Sequence, residues 1–232
     1  MSTVVDVYNL ALTNLDLSSV VNSVNDNSAV ASACNRWYDW ARRKTLERAY
    51  WDFATKYPAL SMVLDQTTIP DTQIVYPGWR YVYARPVDCL RFLAVTTIFG
   101  LRVNPFLSFL WSSNAFWGTT ASWGPFNPPY QEALDQIQSP PNNSINILTD
   151  QTCAYGVYVT DVTNVGVWST TFMEAVALQL AVPIAGPLSA NQGAKARVKK
   201  ELEDAITRAL AHQFSQRQED PYPDSPAITA RN

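Results

Sequence analysis

The stretch Arg36-Trp37-Tyr38-Asp39-Trp40-Ala41-Arg42-Arg43, followed closely by Trp51-Asp52-Phe53-Ala54, limits most sharply what this chain can fold into. The apolar spacing around it is helical, with Val30, Cys34, Trp37 and Ala41 on one stripe and Leu46, Ala49, Tyr50 and Phe53 continuing it. The pattern predicts one long helix over residues 28–54, with Asn27 or Ser28 as its N-cap. Trp37, Trp40, Tyr50, Trp51 and Phe53 stand there among Arg36, Arg42, Arg43, Lys44 and Arg48. One core uses one face of such a helix, and a second aromatic face calls for a neighbour. The helix is therefore expected at the heart of a bundle and partly at a subunit seam. Trp37, Trp40, Arg42 and Arg43 are the candidate subunit-interface residues. Trp37 also falls on the core stripe, so its truncation is expected to cost on the order of 3–5 kcal/mol, whereas truncating Trp40 is expected to hurt assembly more than folding.

The two ends of the chain carry the other helices. Val4, Val7, Ala11 and Leu15 recur at helical spacing, with Tyr8 and Leu12 alongside, and Thr3 with Asp6 forms a capping-box pattern. Trp168-Ser169-Thr170 opens an apolar helix through Val182 that Pro183 and Gly186-Pro187 are expected to end or kink. Those prolines leave it short of the roughly 20 apolar residues of a membrane span, so it reads as a core helix. A final helix, with Asn191 as a possible cap, places Val198, Leu202, Ala205, Ile206, Ala209, Leu210 and Phe214 on one stripe. Its outer face offers Arg197/Glu201, Lys199/Glu203, Lys200/Asp204 and Asp204/Arg208 at i,i+4.

Between the helices the pattern turns to strands, expected at 59–64, 75–84, 90–98, 130–138, 145–149 and 152–162. Residues 99–130 hold Trp111, Trp117 and Trp123, five phenylalanines and four prolines, and only Arg102 as a cation. Such a stretch is too apolar for a solvated loop and too rich in Pro and Gly for a regular core element, so it reads as an interaction loop. From Arg217 the chain carries Pro221, Pro223 and Pro226, which make an extended arm. The expected fold is α+β: a helical bundle from the N- and C-terminal helices, an inserted antiparallel β subdomain and an extended C-terminal arm. Its parts are residues 1–55, 56–165 (with the insertion at 99–130), 166–216 and 217–232.

Residue patterns that carry chemistry are sparse along the chain. His212 is the only histidine: no second positioned partner for a Ser-His-Asp or Cys-His arrangement stands beside it, one histidine makes no His-rich metal site, and on the final helix it reads as a solvated or interface residue. Asp39, Glu47, Asp52, Asp65, Asp88, Glu132 and Asp135 are scattered, although carboxylates distant in sequence can still meet in space. The eight glycines form no phosphate-cradling pattern. Cys34, Cys89 and Cys153 are odd in number and widely spaced, against a disulfide framework or zinc site; Cys34 and Cys153 read as small buried hydrophobes. No catalytic, cofactor or metal residue is therefore assigned. The first residues lack the basic and apolar regions of a secretory signal, so none is expected.

Net charge is −3 and the pI near 5.1, which leaves no broad basic surface for tight DNA binding. The one basic cluster, on the second helix, suits nucleic acid or an acidic protein surface, or is a solvated face. Charged residues make up only 16% of the chain beside 47% hydrophobic, a balance that fits a surface consumed by contacts and not disorder.

Several segments follow one another in a distinctive order and spacing: Val4-Val5-Asp6-Val7-Tyr8-Asn9-Leu10-Ala11-Leu12; Ala33-Cys34, Trp37-Tyr38-Asp39, Arg42-Arg43, Leu46 and Trp51-Asp52-Phe53-Ala54; Tyr81-Val82-Tyr83; and Pro86-Val87-Asp88-Cys89-Leu90-Arg91. Trp168 with Phe172, Glu174, Ala175, Ala177 and Leu180 comes next, and Pro226-Ala227-Ile228-Thr229-Ala230-Arg231 ends the series. In that order they resemble the head-to-tail adaptors of short-tailed bacteriophages, the tail tubular protein A group, the last being similar to the family's C-terminal arm. The resemblance implies a ring of about twelve copies between the portal and the tail nozzle. It implies a channel that double-stranded DNA crosses without strong phosphate contacts, and neither enzymatic activity nor cofactor nor membrane. The place implied is the virion neck, after synthesis in the bacterial host cytoplasm. It also assigns the arm to the portal, with Tyr222, Ile228 and Arg231 as anchors, and leaves Trp111, Trp117 and Trp123 for the distal tail protein. Residues 99–130 are longer and more aromatic than the family pattern. The competing class, motivated by that Trp-rich loop and the carboxylates, is a carbohydrate-binding or polysaccharide-cleaving phage tail protein.

Overall fold

A computed structural model describes residues 3–96, 129–137, 144–188 and 193–216. The protein is α+β, with four α-helices and two antiparallel sheets among these residues. It divides into two compact units, Met1–Thr45 with Asn164–Asn232, and Leu46–Thr163. The first break falls inside the last turn of a helix, ahead of the boundary expected at 55.

The helical unit holds α1 (Val4–Thr13), most of α2 (Ala29–Arg48), α3 (Thr170–Leu188) and α4 (Ala194–Gln216). The capping box closes α1 at both donors: the Asp6 amide reaches Thr3 Oγ1 at 3.3 Å and the Thr3 amide reaches Asp6 Oδ2 at 2.7 Å. Val7, Tyr8, Ala11 and Leu12 form its buried face, and α1 packs on α3, which packs on α4. Asp16, in the left-handed region at φ 58°, turns the chain after α1. Arg197 of α4 then holds that turn, donating to the Asn14 carbonyl at 2.9 Å and to Asp16 Oδ2 at 2.8 Å. The loop up to α2 is strapped by two asparagines. Asn9 bonds both the amide and carbonyl of Val21, and Asn35 donates to the Val24 carbonyl while accepting from Tyr8 Oη. Ser28 is the N-cap of α2, its Oγ accepting from the Ala31 amide at 3.1 Å.

Two helices differ from expectation. Helix α2 stops at Arg48; Trp51 is extended and Asp52–Ala54 form a 3-10 turn, where one helix through 54 was expected. Helix α3 runs through both Pro183 and Pro187, with Ile184 and Ala185 still buried beyond the first. Burial of that last apolar segment outweighs a proline's cost of about 3 kcal/mol. At 19 residues α3 is long and apolar enough to cross a membrane, and 56% of its most apolar 18-residue stretch is buried inside the protein. On α4 the stripe Val198, Leu202, Ala205, Ile206 and Ala209 is buried; the Arg197–Glu201 pair forms at 3.8 Å, and Arg208 reaches across to Glu174 of α3 at 3.3 Å. Asn191 lies outside the described residues, as does the side chain of Phe214.

In the second unit β7 (Tyr155–Thr160) is the centre of a sheet with β1 (Thr55–Lys56) and β4 (Cys89–Thr96). The other sheet runs β2 (Met62–Asp65), β3 (Tyr81–Ala84), β6 (Ile145–Thr149), β5 (Tyr130–Leu134). Leu60, Tyr83, Phe92, Val95, Ile147, Ala154 and Tyr158 fill the space between the sheets. Gly156 makes this packing possible, because a Cβ there would stand 2.6 Å from Leu60 Cδ2 and 2.9 Å from Phe92 Cε2. Gly156→Ala is therefore expected to destabilise by about 1–3 kcal/mol through overpacking, read from urea unfolding.

Residues 75–80 are not strand, although a strand over 75–84 was expected. Gly78 takes a left-handed turn at φ 88°. The Gln66 side chain replaces a strand partner: its Oε1 accepts from the Val75 and Tyr76 amides and its Nε2 donates to the Tyr76 and Trp79 carbonyls. That loop covers the outer face of β3 and β6, where Tyr76, Val82 and Leu148 are buried. Cys153 is exposed and precedes β7, so it is not the buried strand cysteine expected; Cys34 is buried, and burial pushes its thiol up to about 11.

Candidate interaction face

Helix α2 has two faces. The buried one follows Ala31, Cys34, Tyr38, Ala41, Arg42 and Thr45. The opposite one exposes Arg36, Trp37, Trp40, Arg43, Lys44 and Glu47. Trp37 and Trp40 are 36% and 41% exposed, and their rings meet edge to face at 5.7 Å with an interplanar angle of 77°. Lys44 Nζ lies 5.7 Å from the Trp40 centroid, completing an aromatic–cation row along about two turns. On the other side Tyr38 packs edge-on against Tyr8 of α1 at 5.5 Å, and burial drives the Tyr8 phenol well above its ordinary value.

Two sequence assignments change here. Trp37 is not on the core stripe. The stripe steps from Cys34 by four residues to Tyr38, and Trp37 falls beside Trp40 on the outward face. Its truncation carries no core penalty, so the expected cost is replaced by one within about 1 kcal/mol. Arg42, expected at the interface, is only 4% exposed and lies on the buried side. Its guanidinium bonds Asp39 at 2.8 Å and stands 5.8 Å from the Tyr38 centroid, inside its own chain. Trp37, Trp40 and Arg43 remain at the surface, and Lys44 joins them, a residue that helical spacing from Trp40 could have placed there. Tyr222, Ile228, Arg231, Trp111, Trp117 and Trp123 lie outside the described residues.

The best-formed polar cluster belongs to the second unit and serves its fold. Asp88, in the turn between β3 and β4, accepts from Lys56 Nζ at 2.6 Å, Tyr158 Oη at 2.8 Å and Thr160 Oγ1 at 3.0 Å. One carboxylate thereby ties β1, the β4 turn and β7. The Lys56 hydrogen bond, then those from Tyr158 and Thr160, outweigh desolvation and hold Asp88 at about 2, below the ordinary 3.8. Because the folded value is depressed, this stabilisation is complete above pH 4 and is lost as pH falls from there toward 2. Acid unfolding should show a drop in that window for the wild type that Asp88→Asn lacks.

Asp135, buried, accepts from the Ile137 amide, Asn146 Nδ2 and Ser144 Oγ. Both carboxylates are thus held by several donors. Among the described residues no three His, Cys, Asp or Glu side chains gather as metal ligands. Val87, at the tip of the Asp88 turn, is fully exposed. Set against models of known protein families and against curated proteins, the chain matches none.

Proposed function

We propose that this chain is a non-enzymatic structural protein of a bacteriophage neck. It is a head-to-tail adaptor that joins portal to tail nozzle as a ring of about twelve copies and forms part of the DNA channel. The observation that carries the reading is the two-sided α2, which buries one face in its own bundle and turns two indoles and a lysine outward. Indoles and guanidinium groups are the side chains that anchor interfaces. The residue-level resemblance to the adaptor group supports it further. Val7, Tyr8, Ala11, Leu12, Cys34, Tyr38, Phe172, Ala175, Ala177 and Leu180, which carry much of that resemblance, are all buried in the helical unit. They are the residues that would keep such a bundle alike between relatives. The arm, with Ile228 and Arg231 near its end, is the proposed link to the portal: an apolar plug and a planar cation suited to a carboxylate.

The test is co-sedimentation of the purified protein with its portal, beside assays of saccharide binding and cleavage. A stable joint complex with no glycan activity is the expected result. A monomer that ignores the portal and turns over a polysaccharide, or binds a glycan at micromolar affinity, would overturn the reading in favour of a tail protein that acts on carbohydrate.

A further inference from the structure

We infer that the outward face of α2 receives the acidic proline segment, residues 219–226, from the C-terminal arm of a neighbouring copy; this deepens the ring reading and rests on it. Helix α2 carries five Lys and Arg against Asp39 and Glu47, a local positive excess in a chain of net charge −3. The arm is its chemical counterpart. Glu219, Asp220 and Asp224 flank Pro221, Tyr222 and Pro223, and no Lys or Arg occurs between Arg217 and Arg231.

The spacings agree as well as the charges. Arg36 and Lys44 bracket the indole pair, and eight residues of helix separate them by about 12 Å. Asp220 and Asp224 bracket Pro221-Tyr222-Pro223, and four residues in the extended form that proline favours also span about 12 Å. Laid along α2, the segment sets its two carboxylates over the two cations and its proline rings and tyrosine over Trp37 and Trp40. Aromatic surfaces bind proline-rich segments in this way because the segment has little conformational entropy left to lose. Helix α4 runs to Gln216, so the segment starts three residues beyond a rigid element. Ile228 and Arg231 lie past the docked segment and stay free for the portal, whereas Tyr222 moves from the portal contact to the α2 face. Each arm would then latch the next subunit before reaching upward.

A contact between copies can be told from one within a copy by mixing. Two full-length variants are made, one with Asp220→Lys and Asp224→Lys, the other with Arg36→Glu and Lys44→Glu. Each alone places like charges at the contact, and sedimentation velocity should show association about tenfold weaker or more than wild type. Mixed in equal amounts, the variants present matched charges at every junction of an alternating ring, and assembly should return. Wild-type association by either variant alone would overturn the inference while leaving the ring reading intact. So would a mixture that stays as dissociated as its components, which is the outcome for an arm folded onto its own subunit. A wild type that is itself monomeric under the same conditions overturns both.

Discussion

Replacing Trp51 with alanine should destabilise the protein by about 3–5 kcal/mol, the range for deleting a fully buried aromatic ring. Its side chain is wholly enclosed. Its ring sits 6.3 Å from that of Phe53, and its carbonyl accepts from the Ala54 amide at 2.9 Å and from Thr55 Oγ1 at 2.8 Å. Those bonds fix the chain where α2 ends and β1 begins, so the ring cannot withdraw and a cavity would remain. Against a total stability on the order of 5–15 kcal/mol, a loss of this size removes a large share of the margin. Urea unfolding would report it as a lower midpoint at unchanged slope. Trp37→Ala is the control, because it removes an indole of equal size from an exposed site and should move the midpoint little.

The double variant Trp37→Ala with Trp40→Ala should show the reverse pattern. Its unfolding midpoint should stay close to wild type, since both rings are more than a third exposed. Its self-association should fall by about a hundredfold or more, because anchor tryptophans at interfaces are commonly worth 2 kcal/mol or more each. Lys44 also loses the ring it stands over, although an exposed cation–π contact adds only about 0.5–1 kcal/mol. Equal, small effects on stability and association would mean that α2 presents a solvated face.

The contrast between Trp51 and Trp37 shows where the sequence was legible. Periodicity placed the helices at both ends, the Thr3–Asp6 capping box and the strand at 145–149, because each follows from local spacing and local hydrogen-bond chemistry. The direction of a single aromatic residue did not follow. Trp37 is three residues from Cys34 and Tyr38 is four, and which of them turns inward depends on Tyr8 arriving from α1. Likewise the strand expected from Val75 fails because Gln66, nine residues earlier, takes up the amides of Val75 and Tyr76. The end of α3, expected at Val182, lies at Leu188 for the same reason, since tertiary burial decides where that helix stops. Arg42 looked like one more cation of an aromatic–basic run, yet the step of four residues from Tyr38 carries it to the inner face. The outward pair was visible as composition and became a surface only once the inward stripe was known.

If α2 faces a second copy of this chain, as proposed, mass photometry of the purified protein should show it. Particles near twelve times the 25.9 kDa chain mass are expected, about the stoichiometry of a closed ring, with the Trp37/Trp40 double variant at the mass of single chains. Wild-type protein at 25.9 kDa across the accessible concentration range, or a double variant as fully assembled as wild type, would contradict it.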